Sequence, residues 1–207
     1  MIKKDKIMIQ TPEFVRDVQL REIKLNPEYY KPENTSISQI SHAIKRSIKD
    51  GYVKTGDVVL DYGGGKYDKG VAYYTENGVN CLVYDIYART YEYNCKTLDI
   101  LEKLKEQYGV RVSCVILANV LCVIPEPKER EYVIKHAFSF LKKGKSMLIT
   151  VYEGDKSGFG RVTAKGKTIH WQEHRKTETY MDEISEALNG KKFEIKRKNK
   201  LIVVTKI

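Results

Sequence analysis

The chain has 207 residues, enough for one domain with its own core, and 42% hydrophobic with 31% charged residues exclude a mainly disordered chain. No apolar run approaches the roughly 18 residues of a membrane-spanning helix, so no membrane association is expected. Thirty-seven Lys and Arg against 27 Asp and Glu leave a net charge of +10, which favours a polyanionic partner such as DNA or RNA over a neutral or acidic surface. The start, MIKKDKIMIQTPEF, has no apolar stretch before a cleavage site, so no secretory signal is expected. Cys81, Cys95, Cys114 and Cys122 form no C-x-x-C pair and read as reduced thiols of a cytoplasmic protein.

Residues 1–34 carry Pro12, Pro27 and Pro32 and read as a lead-in segment packed on the core; residues 35–207 read as the domain itself. Thr35-Ser36 offers a cap for a helix whose apolar positions Ile37, Ile40, Ala43, Ile44 and Ile48 recur at helical spacing, ended by Gly51. Asp57 to Asp61 is a β-branched run that predicts a buried strand, with three glycines directly after it. A helix is predicted from about Lys69 to Asn77, a second strand over Cys81 to Asp85, and a helix over Leu98 to Tyr108. Then come a strand over Val112 to Ala118, a helix over Pro127 to Leu141 and a strand over Ser146 to Tyr152. Residues 153–180 are polar and Gly-rich and predict a connection or substrate wall. Tyr180 to Leu188 reads as a helix, and Phe193 to Lys198 and Leu201 to Lys206 as a hairpin around Asn199-Lys200. Strands alternating with helices imply an α/β fold with a mostly parallel sheet, helices on both faces and a C-terminal antiparallel hairpin. Ligands of such sheets sit beyond the carboxyl ends of the strands.

Asp61-Tyr-Gly63-Gly64-Gly65-Lys66 falls where the first strand turns into a helix. Glycines there let the main chain turn tightly and approach a ligand without side-chain obstruction, and the amides at a helix start favour polar or anionic groups. The spacing matches neither a phosphate-binding P-loop nor a G-x-G-x-x-G fingerprint, which needs Gly where Asp68 stands. Asp85 ends the second strand, where an acid can accept from both hydroxyls of a ribose. The pair points to a nucleoside cofactor.

The segments VVLDYGGGKYD (58–68), LVYDIYART (82–90) and VILANVLCVIPEPKEREYVI (115–134) resemble class I S-adenosylmethionine-dependent methyltransferases, with their Rossmann-like fold. They are most similar to a bacterial and phage-borne group that includes proteins found beside DNA phosphorothioation systems. GRVTAKGKTIHWQ (160–172) and Tyr180 resemble a downstream segment of that group. The resemblance covers roughly residues 35–190. It implies that Asp61, Gly63, Gly64, Gly65 and Lys66 line the methionine and ribose side of S-adenosyl-L-methionine and that Asp85 holds the ribose hydroxyls. Ile86 and Tyr87 follow on the adenine side, with Asp99 and Ile100 toward the adenine amino group. Asn119 faces the transferred methyl. Two departures stand out: Tyr67 replaces the usual third glycine, and Ile86 a frequent proline.

Methyl transfer from a sulfonium needs alignment of an acceptor more than an acid–base dyad. Asn119 is followed by Val120-Leu121-Cys122 rather than Pro-Pro-aromatic, which disfavours amino methylation of DNA bases. Cys122 lacks the proline neighbour of cytosine-C5 enzymes and reads as a core thiol. Candidate catalytic residues are Asn119, Tyr152 and Tyr180; Glu153, Arg161, His170 and Gln172 are further acceptor contacts, and Tyr87 and Arg89 belong to the pocket rim. His170-Trp-Gln-Glu173-His174 matches the H-x-x-E-H zinc pattern, but its surroundings read as extended, so no metal is expected. Lys191 to Ile207 holds seven Lys or Arg against one Glu. The expectation is a methyltransferase modifying a nucleic acid or nucleotide-like substrate, in the manner of DNA modification. The alternatives are an inactive module that binds nucleic acid or protein, and a small-molecule methyltransferase.

Overall fold

In chain order the helices are α1 (His42–Lys49), α2 (Lys69–Glu76), α3 (Tyr91–Tyr108), α4 (Pro127–Ser139) and α5 (Tyr180–Ala187). The strands are β1 (Val58–Tyr62), β2 (Asn80–Tyr84), β3 (Val112–Ala118), β4 (Leu141–Thr150), β5 (Gly160–Lys165), β6 (Thr168–Glu173), β7 (Phe193–Lys198) and β8 (Leu201–Lys206). This computed structural model describes residues 29–165 and 168–207. Most of the expected lead-in segment, residues 1–28, lies outside the described residues.

Six strands form one sheet in the order β2-β1-β3-β4-β8-β7. The first four are mutually parallel, and β8 and β7 add to β4 as an antiparallel hairpin. Strand order reverses at β1, which pairs with β2 on one side and β3 on the other, so the crevice at its carboxyl end is the natural ligand position.

Alternation along the strands sends Val59, Cys114, Ile116, Leu148, Leu201 and Val203 to the face covered by Ala43 and Ile44 of α1 and Tyr74 of α2. Leu60, Val115, Leu117, Met147, Ile149, Ile202 and Val204 meet Val133, Ile134 and Ala137 of α4 and Ile184 of α5. Each such fully buried aliphatic side chain contributes about 1.5–3 kcal/mol by leaving water. Among the described residues no helix is long and apolar enough to cross a membrane.

Caps set the helix boundaries. Ser41 Oγ accepts from Ile44 N (3.2 Å), so α1 starts at His42 rather than after the expected Thr35-Ser36 cap, and Ile37 and Ile40 precede it. Thr90 Oγ1 accepts from Tyr93 N (3.2 Å), so α3 starts at Tyr91 rather than at Leu98, and it stops at Gly109 with φ +61°. The polar connection after β4 is a further departure from expectation. It folds into the β5–β6 hairpin, a separate two-stranded sheet in which Ile169 and Trp171 pack with Tyr29, Tyr30 and Val162.

Candidate functional site

β1 delivers Asp61 and Tyr62 to the carboxyl end of the sheet, and the chain leaves through Gly63-Gly64-Gly65. Gly63 (φ +81°) and Gly65 (φ +73°) are left-handed, a backbone that side chains rarely tolerate. A Cβ on Gly63 would lie 2.3 Å from Val120 Cγ2, and one on Gly64 2.8 Å from Asp61 Oδ2. The turn is therefore bare main chain. β2 ends next to it at Asp85, whose Oδ2 accepts from Gly65 N (2.8 Å) while Oδ1 accepts from Tyr87 N and Ala88 N (2.9 Å each). That leaves roughly one of four acceptor positions for a ligand. Arg89 donates to Gly65 O (2.8 Å) and to Asp68 (2.6 Å), so it braces the turn from behind.

The strand ends open into a cavity of about 770 Å³, walled by Asp61, Gly63, Gly64, Gly65, Asp85, Ile86, Tyr87, Asn119 and Tyr152 among others. A second cavity of about 380 Å³ opens at the opposite end, by Val58 and Val112, and holds none of the expected site residues. Residues 32–41 lie over the larger cavity, with Pro32, Ser36 and Ile37 on its wall. They are tied down at one end where Lys31 N donates to Ile169 O (3.0 Å) and the Tyr30 hydroxyl donates to Val123 O. Ser36 Oγ comes within 3.0 Å of where a Gly65 Cβ would stand.

Asp61 is buried, and burial pushes its carboxyl up to about 7, with the neighbouring Asp85 adding and Arg89 opposing. Asn119 follows β3 in a left-handed conformation (φ +59°), held by its N–H on Thr150 O at 2.8 Å. Asparagine is the non-glycine residue that most readily accepts this backbone, which aims its side chain out of the strand direction. Tyr152 is half exposed on the wall, its ring edge-on to His174 at 5.4 Å.

Other expected residues fall elsewhere. Lys66 is exposed above the Tyr67 ring (5.4 Å), outside the cavity wall, because the turn carries it outward. Asp99 and Ile100 lie midway along α3, away from the cavity, because the chain passes from β2 through α3 straight to β3 without an intervening strand. Tyr180 is fully buried and donates to Glu173 Oε2 at 3.0 Å, a core role in place of a catalytic one. Glu153 accepts from Thr177 N and Oγ1 (2.9 and 2.8 Å), which hold its carboxyl down at about 2. Arg161 pairs with Asp155, and His170 Nδ1 meets Lys31 O at 3.2 Å. His170 lies on strand β6 and His174 just beyond its end, roughly 13 Å along an extended chain, and among the described residues no group of metal ligands forms. Burial raises the Cys122 thiol to about 11, so little thiolate forms at neutral pH.

The wall also contains Ser36, Glu129, Tyr132 and Gln172. Gln172 stood among the expected acceptor contacts. Glu129 and Tyr132 share the cavity-side stripe of α4 at helical spacing, a signal present in the sequence; Ser36 gives no local signal, since it reaches the site through the path of a loop.

With that geometry in place, comparison with solved structures is decisive for the fold. Over 98% of this chain and 92% of the other, the backbone is similar to a Burkholderia thailandensis 1,6-didemethyltoxoflavin-N1-methyltransferase with bound 1,6-didemethyltoxoflavin and S-adenosylhomocysteine (TM-score 0.50, 15% identity). Over 96% of this chain and 99% of the other, it is similar to the glycopeptide N-methyltransferase MtfA complexed with S-adenosylhomocysteine (TM-score 0.54, 9% identity). This is the class I methyltransferase fold. At the level of sequence, no protein-family model and no curated protein matches the chain.

Proposed function

We propose that the protein is an S-adenosylmethionine-dependent methyltransferase whose acceptor is a nucleic acid or a nucleotide-like group. The observation that carries this reading is the bare glycine turn bonded to Asp85 at the mouth of the 770 Å³ cavity. The residues fit the cofactor: main chain at Gly63 to Gly65 for its amino-acid tail, the remaining acceptor position of Asp85 for a sugar hydroxyl, and Ile86 and Tyr87 as flat surface beside it. When bound, that group supplies an activated methyl on sulfur, so no leaving group has to be activated by the protein. Asn119 and Tyr152, on the wall between β3 and β4, would orient the acceptor with an amide and a phenol. Tyr84, Tyr87 and Tyr132 offer ring surface for a planar acceptor or base. The basic composition supports a nucleic-acid acceptor, and with it the role in DNA modification that the sequence resemblance implies. Unbridged core thiols at Cys114 and Cys122 support a reducing compartment, the cytoplasm.

A small-molecule acceptor is the second reading, favoured by Pro32, Ser36 and Ile37, which add a wall to the cavity beyond the strand ends. Calorimetric titration with S-adenosylhomocysteine tests the proposal. Saturable binding is expected, weakened at least tenfold by Asp85→Ala, with a thermal melt to confirm folding. Absence of heat at millimolar ligand overturns the enzyme reading in favour of a non-catalytic module.

A further inference from the structure

We propose that the exposed face of α1 and the adjoining side of β7 form a track for a nucleic-acid backbone that leads into the cavity. α1 buries Ala43, Ile44 and Ser47 and exposes His42, Lys45 and Lys49 at spacings of three and four, a single stripe. Its start is at the cavity, where Ser41 and Ile44 belong to the wall. Eight helical residues carry the stripe about 12 Å outward to Lys49. There it meets the sheet edge: Lys198 Nζ sits over the Tyr52 ring at 5.3 Å, and the charges of Lys198 and Lys49 both act on Asp50. Phe193 and Ile195 pack on the opposite core, so Lys196 and Lys198 share the α1 side of β7.

Lys45, Arg46, Lys49, Lys196 and Lys198 face two acids, each already engaged. Asp50 is held by Arg46, and Glu194 pairs with Lys196 at 2.8 Å. Lysines on an edge strand also discourage pairing with another sheet. That need does not extend to α1, which lies off the edge and carries three of the five cations. A row of positive charge beside the half-buried Tyr52 ring, ending at a cavity, is complementary to a row of phosphates. The direction of the track rests on the acceptor reading above; the charged face itself does not.

The test is fluorescence anisotropy with a labelled 20-nucleotide single strand, titrated over a range of NaCl. About three phosphate contacts give a log–log salt slope near −2 for a single strand. Lys49→Glu with Lys198→Glu should weaken binding at least tenfold. Lys142→Glu with Lys143→Glu, which removes the same charge at the other end of the sheet, should change it less than twofold. Equal weakening by both pairs, a flat salt dependence, or tighter binding to anionic vesicles than to the oligonucleotide overturns the track. Titration of the same samples with S-adenosylhomocysteine separates the two claims. Oligonucleotide binding without cofactor heat keeps the track and removes methyl transfer; the reverse pattern keeps the enzyme and removes the track.

Discussion

Asp61 is the penultimate residue of a strand buried along its whole length, and its carboxyl group lies beside Gly64 with Asp85 as a neighbouring charge. Taking that carboxylate out of water raises its proton affinity, to about 7 from the ordinary 3.8. The sign follows from linkage. Between those values the folded state holds the proton more tightly than the unfolded chain, so stability falls as pH rises from 4 to 7, by a few kcal/mol in order of magnitude. Asp61→Asn keeps the neutral shape and removes the titration. The variant should match the parent in thermal melting at pH 4 and exceed it increasingly toward pH 8. An unchanged difference across that range would mean that Asp61 is ionised in the fold throughout. At the same scale, Asn119 shows what a residue type alone conveys: an amide after a buried run announces a strand end, and the left-handed backbone comes from the turn it enters.

At the scale of elements, Arg130 joins pieces far apart in sequence. From α4 it donates to Glu183 of α5 at 2.5 Å and to the carbonyls of Ile124 and Pro125 at 2.7 and 3.1 Å. Those carbonyls belong to the turn leaving Asn119, so the buried guanidinium holds the acceptor side of the cavity in place. Arg130→Met leaves two carbonyls without their donor and should cost about 3–5 kcal/mol, read as a lowered urea midpoint. This joint was not legible in the sequence, because a buried arginine on a helix has the same local pattern as an exposed one. The glycine turn and Asp85 were legible, since each interrupts a short apolar run at its end. The β5–β6 hairpin was hidden because its third inward position is Glu173, an acid satisfied by Tyr180, which breaks the apolar alternation begun by Ile169 and Trp171. Asp99 misled because a family pattern was carried across a gap: the helix expected over Leu98 to Tyr108 is there as part of α3, but it holds Asp99 away from the cavity.

Over the whole molecule, two unequal sheets have to behave as one body if the cavity is to keep its shape. A two-stranded hairpin is marginal by itself, and the small cluster around Trp171 adds little apolar area of its own. Its stability comes through its attachments: Glu173 to Tyr180 in the main core, Lys31 to Ile169, and Tyr30 to Val123 beside the cavity. Trp171 is the sole tryptophan and is fully buried, so its fluorescence reports the hairpin while far-UV circular dichroism is dominated by the six-stranded sheet and its helices. With the attachments intact, both signals should follow one urea transition with the same midpoint and slope. A fluorescence change at lower urea than the dichroism change would show that the hairpin and the segment over the cavity open as a separate unit.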